Sequence, residues 1–121
     1  SLEGRRFSNA VSWLGEVGGD QARPFVEGLL ADTVPPGRAV TLIRALGDIG
    51  SDSSVSVILP FARWEDELVR RETAVSLGKI SSPMAEETLE RLAEDPKLDV
   101  MSAARHALGL VRTEQEGLTT E

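Results

Sequence analysis

Apolar residues recur every three or four positions along most of the chain, which is the spacing of one face of an α-helix. In the best-defined stretch they fall at Ala39, Leu42, Ile43, Leu46 and Ile49. Two later stretches repeat the spacing, at Val69, Ala74, Leu77 and Ile80 and at Val100, Ala104, Ala107, Leu108 and Val111. The pattern predicts amphipathic helices that each bury one face.

The dipeptide Leu-Gly lies near the end of these stretches and marks an internal repeat. It occurs at Leu14 and Gly15, Leu46 and Gly47, Leu77 and Gly78, and Leu108 and Gly109. The leucines are therefore 32, 31 and 31 residues apart, and a β-branched residue stands two positions after each glycine. A fixed period of this length is typical of stacked repeats, in which each unit buries its apolar face against its neighbours.

A short polar break follows the glycine in the first three copies, and a second amphipathic run follows the break. Asp20 and Asp52 are predicted to cap the helices that begin there, and Pro83 suits the first turn of a helix. Each repeat is thus expected to be a helix, a tight turn and a second helix. Residues 54–60 alternate like a strand up to Pro60. Because the repeat register requires a helix there, we expect a helix that is kinked or opened at Pro60.

The repeated glycines have a structural explanation. A glycine inside a helix costs about 1 kcal/mol relative to alanine, so four of them indicate that helices must approach closely at these positions. A phosphate-binding role is disfavoured because no glycine-rich nucleotide motif surrounds them. The residue before each Leu-Gly leucine is small in three copies, as Ala45, Ser76 and Ala107, but is Trp13 in the first. We expect Trp13 either to cap the N-terminal end of the array or to contact an upstream domain or partner.

The segment Val69–Ile80, with the sequence VRRETAVSLGKI, resembles the first helix of a HEAT repeat. The match is to the short bacterial subtype named after phycobilisome lyases, whose second helix often carries Ala-x-Pro near its start, similar to residues 22–24 here. The family's arginine after the valine is present only as Arg70. The resemblance implies an all-α fold, an α-solenoid of stacked antiparallel helix pairs with about three and a half HEAT-like repeats.

The array is expected to span residues 1–112, with repeats at about 5–36, 37–67, 68–98 and 99–112. The fourth repeat supplies a first helix that ends near Val111 and no second amphipathic helix. Residues 113–121 contain one aliphatic residue and three acids, and are predicted to be a disordered polar tail. The last helix is expected to leave part of its apolar stripe exposed. Two explanations stay open: the chain is a fragment of a longer array, or it binds something at this end, including a second copy.

Composition narrows the classes of function. The 121 residues carry 20 acidic and 13 basic side chains, a net charge of −7, which disfavours a nucleic-acid binder. With no cysteine, the chain has no disulfide, thiol nucleophile or Cys-type zinc site. No apolar run approaches the roughly 20 residues that span a membrane, and we expect a cytoplasmic protein without a membrane partner. The single histidine, His106, is expected to be a solvated helix residue, and no catalytic residue, metal or cofactor is predicted.

Arg63 and Trp64 are the first candidates for contact with a partner. They lie in a charged connection between repeats, and arginine and tryptophan are enriched among interface hot spots. The alternative for Trp64 is that it folds back over the seam between repeats. Phe25 and Phe61, in the second helices, are expected to belong to the core.

A candidate acidic stripe lies along the second helix of the third repeat. Its members are Glu86, Glu87, Glu90 and Glu94, with Asp95 at its end. Such a stripe suits a basic partner surface. The alternative is a solvated polar face, which runs of charge on helices usually form.

The leading hypothesis is a non-enzymatic scaffold or adaptor that binds another protein, because the function of a short solenoid is usually the surface it offers. One alternative is an accessory protein similar to the phycobilin lyases, acting on a tetrapyrrole, which the lack of tyrosine and the single histidine disfavour. A second is recognition of DNA lesions, as in glycosylases that resemble HEAT arrays. It is disfavoured because each of the segments 5–36, 37–67, 68–98 and 99–121 carries a net negative charge. A small-molecule ligand is not expected.

Overall fold

The computed structural model describes residues 2–13, 19–31 and 33–119. This part of the chain contains seven α-helices and no strand. Their bounds are α1 Leu2–Trp13, α2 Arg23–Ala31, α3 Pro36–Ile49, α4 Val55–Ile58, α5 Glu67–Ile80, α6 Glu86–Leu92 and α7 Leu98–Thr119. The all-α fold predicted from the sequence is confirmed.

The helices form two layers. The first helices α1, α3, α5 and α7 pack side by side, and the second helices are α2, α4 with its 3₁₀ continuation Leu59–Arg63, and α6. Each second helix packs against the first helix that follows it in the chain. The starts of α3, α5 and α7, at Pro36, Glu67 and Leu98, lie 31 residues apart. The helices therefore stack with the period of the Leu-Gly dipeptide.

Gly47 and Gly78, the glycines of the two inner Leu-Gly dipeptides, lie where adjacent first helices approach closely. A Cβ added at Gly47 would lie 2.6 Å from Ser76 Oγ and 2.9 Å from Ser76 Cα. At Gly78 it would lie 2.7 Å from Ala107 Cβ and 2.9 Å from Ala107 Cα. No side chain fits at either position, because real Cβ atoms essentially never come this close to another residue. Close helix approach at the repeated glycines is confirmed for these two copies.

The outermost copies of the dipeptide differ from the inner two. A Cβ at Gly109 would have no atom within 4 Å, because no described helix packs beyond α7. The neighbouring Leu110 is 41% exposed. Leu14 and Gly15 lie outside the described residues.

Three polar interactions join α3 to α5, one of which is the exposed ion pair of Lys79 Nζ with Asp48 Oδ1, at 2.8 Å. The buried Ser76 Oγ donates a hydrogen bond of 3.0 Å to the Ile43 carbonyl. Arg44 Nη2 lies 3.0 Å from Glu72 Oε1, and this carboxylate is largely buried. The small residue before Leu77 therefore both allows the close approach and connects the two helices.

The turns between paired helices have a common geometry. Gly50 and Ser81 follow α3 and α5 in the left-handed conformation, with φ of 76° and 58°. The next residues, Ser51 and Ser82, are the N-caps, and each hydroxyl accepts from the backbone N–H two residues later. The prediction that Asp52 is the N-cap is wrong by one residue: a short 3₁₀ turn begins at Asp52, so the serine before it occupies the cap.

Residues 54–60 are helical, as the repeat register predicts. The α-helical hydrogen bonds of α4 end at Ile58, and the chain continues as the 3₁₀ segment Leu59–Arg63, with Pro60 in its first turn. A proline there removes one backbone donor and resists the α-helical ladder. The alternation of apolar residues therefore reflects a short, irregular helix and not a strand.

The last helix is longer than predicted. The apolar pattern predicts a helix end near Val111 and a disordered tail after it, whereas α7 continues to Thr119. Residues 112–116 include good helix formers and no proline, so an existing helix extends through them at little cost. Arg112 also ties this part of α7 to α6 through Glu86 and Glu90.

One core prediction for the second helices is correct and one is wrong. Phe61 is buried, as expected, whereas Phe25 is 60% exposed. In α2 the buried residues are Val26 and Leu30, which lie four positions apart on one face. Phe25 lies on another face, where no described helix pair covers it.

Candidate functional site

A cavity of about 410 Å³ opens between the second helices of two adjacent pairs. Its lining residues are Leu59, Pro60, Ala62, Arg63, Thr88, Arg91, Leu92 and Asp95. They come from the 3₁₀ segment Leu59–Arg63 on one side and from α6 and the turn after it on the other. The neighbouring first helices α5 and α7 touch at Gly78, but this part of the second layer is open.

The floor of the cavity is apolar. Ala62 and Leu92 are buried, Leu59 is half-buried, and Pro60 is exposed. Pro60 also has no N–H to satisfy, which suits a position where the backbone borders an open space. An apolar side chain of moderate size could lie against this floor.

The one carboxylate that lines the cavity is already paired. Asp95 accepts two hydrogen bonds from Arg70, at 2.9 Å from Nε and 3.2 Å from Nη2, and the side chains are only 9% and 14% exposed. Arg70 Nη1 also donates to the carbonyls of Trp64 and Glu65, at 2.8 and 2.7 Å. This arginine therefore fixes the connection before α5 and the turn after α6 in one network.

The same network lowers the pKa of Asp95. Burial alone would raise the pKa of its carboxyl, but the hydrogen bonds from Arg70 and from the Lys97 N–H, with the nearby positive charges, hold that pKa below its usual value. The carboxylate is thus charged near neutral pH, and Arg70 balances its charge.

Two arginines at the cavity have no such partner. Arg63 ends the 3₁₀ segment and Arg91 lies in the last turn of α6, and both are exposed. Among the described residues, neither guanidinium makes a hydrogen bond or an ion pair. Their donors are available to a bound group.

The structure separates Arg63 from Trp64. Trp64 is half-buried and lies against Phe61, with ring centroids 4.8 Å apart and the planes tilted by 37°. It borders a different hollow, of about 600 Å³, with Pro36, Glu65 and Asp66. Trp64 therefore packs partly against the core beside Phe61, and its contact with a partner stays a prediction.

Two glutamates of the candidate acidic stripe form ion pairs within the molecule. Glu86 and Glu90 face Arg112 of α7, at 3.6 and 3.4 Å. Glu87 is exposed on α6, and Glu94 is exposed in the turn after α6 has ended at Leu92. Two of the four glutamates are thus unpaired among the described residues.

The remaining candidates contribute no chemistry to the cavity. Trp13 is the last described residue of α1, and its side chain lies outside what the structure describes. His106 is exposed on α7. The described residues include no group of three or more acids and histidines placed to bind a metal ion, and none of their helices is long and apolar enough to cross a membrane.

Sequence reasoning missed Arg91 as a functional candidate. Arg91 lies 28 residues after Arg63, which is the 31-residue repeat shortened by about one helical turn. Residues with that separation fall on neighbouring second helices about one turn apart, so this spacing is the signal that could have paired them.

Comparisons with known proteins agree with the stacked helix pairs and add no named relative. The family model for HEAT repeats matches residues 36–109, which cover α3 to the middle of α7. No curated protein matches the chain. The matched segment makes up more than half of the sequence, and the chain belongs to the HEAT-repeat family.

Proposed function

We propose that the protein is a non-enzymatic scaffold or adaptor that binds another protein at the cavity between the 3₁₀ segment Leu59–Arg63 and α6. HEAT repeats generally mediate protein–protein interaction. The observation that supports this location is the pair of unpartnered arginines, Arg63 and Arg91, beside an apolar floor. Specific protein sites combine such an apolar centre with a few oriented polar groups.

The first-helix layer is less suited to this role. Its inner faces are occupied by the neighbouring first helices, as at Gly47 with Ser76 and Gly78 with Ala107. The second layer is less filled, because it contributes shorter helices. No described feature favours tetrapyrrole or DNA-lesion chemistry over protein binding, and the net charge of −7 opposes a DNA partner.

Site-specific photo-crosslinking tests this proposal in the native extract. A photoreactive amino acid is placed at Thr88, which lines the cavity, and in a control at Ser102, which is exposed on α7. We expect a discrete protein adduct from position 88 and none from position 102. Equal labelling from both positions, or no adduct from position 88, would contradict the proposal.

Self-association through the C-terminal end stays a prediction. It is supported by the open surface at Gly109, which corresponds to the surface of α5 at Gly78 that α7 covers. Sedimentation velocity over a wide concentration range tests it. A concentration-dependent dimer that Gly109→Glu abolishes is the expected result, and a strict monomer is the contrary one.

A further inference from the structure

The cavity has a local charge opposite to that of the whole chain. The protein carries a net charge of −7, yet two of the cavity's lining residues are arginines without an intramolecular partner. Its one lining carboxylate, on Asp95, is neutralised by Arg70. At physiological ionic strength charges are screened over about 8 Å, so the acids in distant parts of the chain act only weakly on a group bound in the cavity. The unpaired charges nearest to it in the chain are Arg63 and Arg91, with Glu87 and Glu94 near Arg91.

The two cations lie on opposite walls. Arg63 belongs to the second repeat, whose apolar residues Leu59 and Ala62 line the same wall, and Arg91 belongs to the third, next to Leu92. A ligand that satisfies all of these groups needs an apolar centre with anionic groups on its flanks. Arginine suits this role because its planar guanidinium binds a carboxylate through two parallel hydrogen bonds.

We propose that the cavity binds an acidic peptide segment, in which one apolar side chain lies on the floor and carboxylates on either side pair with Arg63 and Arg91. This inference rests on the proposed function and names the chemical class of the partner. Thr88, half-buried on the wall, offers a hydroxyl to the peptide backbone.

A peptide fits this site better than a nucleic acid. No aromatic side chain lines the cavity on which a base could stack, and Trp64 is packed against Phe61 beside a different hollow. Glu87 and Glu94 are exposed close by in the chain, before and after Arg91. They would repel a continuous polyanion but leave room for a short segment with two or three carboxylates.

Calorimetric titration with defined peptides tests the inference. The first probe is a short peptide with one leucine flanked by glutamates. In two further peptides the glutamates are replaced by glutamines or by lysines, and the fourth probe is a single-stranded oligonucleotide. The protein variants are Arg63→Gln and Arg91→Gln, with Arg71→Gln as a matched control because Arg71 is an exposed, unpaired arginine on α5.

We expect the glutamate peptide to bind more tightly than the glutamine peptide, and the lysine peptide and the oligonucleotide to bind weakly or not at all. Arg63→Gln and Arg91→Gln should each lower the affinity for the glutamate peptide by about tenfold. Arg71→Gln should lower it by less than about twofold. Replacing the leucine of the peptide by serine should also weaken binding.

Three results would overturn the inference. In the first, the glutamine or lysine peptide binds more tightly than the glutamate peptide. In the second, the oligonucleotide binds more tightly than the glutamate peptide. In the third, Arg63→Gln and Arg91→Gln leave the affinity for the glutamate peptide unchanged. If the peptide fails to bind while the crosslink from position 88 forms, the acidic chemistry is wrong and the protein-binding site stands. If both fail, the proposed function fails as well.

Discussion

Gly78 of α5 lies directly against Ala107 of α7, so closely that a Cβ on the glycine would be 2.7 Å from the Cβ of the alanine. The same relationship joins Gly47 of α3 to Ser76 of α5. In both cases the glycine of one Leu-Gly dipeptide meets the small residue that precedes the next Leu-Gly dipeptide. The repeat thus encodes its own stacking contact, with one half of the contact in each unit.

Alanine substitutions at two repeat glycines should have opposite effects. We expect Gly78→Ala to lower the free energy of unfolding by about 1–3 kcal/mol, because the new methyl group overlaps Ala107. Gly109→Ala is the matched control at the open end. It should raise the free energy of unfolding by about 1 kcal/mol, because alanine favours a helix interior and nothing obstructs it there.

Urea denaturation followed by circular dichroism measures both variants. A Gly78→Ala protein as stable as Gly109→Ala would show that α5 and α7 are not in close contact in solution.

The network of Arg70 and Asp95 should contribute strongly to stability. Arg70→Gln removes the paired hydrogen bonds to Asp95 and the donor for the carbonyls of Trp64 and Glu65. We expect a loss of about 1.5–3 kcal/mol in the free energy of unfolding at pH 7. Arg112→Ala provides a contrast. Its carboxylate partners are at 3.4–3.6 Å and its side chain is 51% exposed, so it should cost less than about 1 kcal/mol. Equal losses in thermal or urea unfolding would contradict the distinction between the two arginines.

The same network predicts the sign of a pH effect. The pKa of Asp95 is lower in the folded protein than its usual value of 3.8, so folding favours the charged carboxylate. This contribution is fully present above pH 3.8 and is lost as the pH falls through the folded-state pKa. The stability difference between the wild type and Asp95→Asn should therefore shrink steadily below pH 4. A difference that stays constant down to pH 2 would show that Asp95 is not held by Arg70.

Trp64→Ala should destabilise the protein, because the indole packs on Phe61 and against the hydrophobic core. We expect a loss of about 1–3 kcal/mol in the free energy of unfolding, since the side chain is only half-buried. Arg63→Ala, at the adjacent position, should leave stability within about 0.5 kcal/mol, because it removes no intramolecular partner. If Trp64→Ala melts at the wild-type temperature, the tryptophan is available for a partner, as first expected from the sequence.

The repeat itself made most of the architecture predictable. Four copies of one motif serve as an internal comparison, so the period, the helix pairs and the need for glycine at Gly47 and Gly78 follow from positions that recur. Close approach was predictable because glycine carries a known cost inside a helix. Features that occur once in the chain were harder to predict. The extension of α7 past Val111 depends on a helix that already exists and on Arg112, which bonds to a different repeat.

The candidate site was predictable only in part. Arg63 was predictable from its residue type. That Arg63 and Trp64 line different hollows was not, because it depends on the direction in which each side chain projects from the 3₁₀ segment and its end. Single-residue shifts of this kind decide which hollow a side chain lines. Phe25 was misplaced because the pattern gave its spacing but not which faces of α2 are covered.

Chemical-shift mapping with the glutamate-flanked leucine peptide is the most direct test of the cavity as the binding site. On ¹⁵N-labelled protein, we predict that the largest backbone amide changes fall at Ala62, Arg63, Thr88 and Arg91 and that they are absent in the double variant Arg63→Gln, Arg91→Gln. Changes concentrated on the open face of α7 around Gly109, or no changes at saturating peptide, would contradict it.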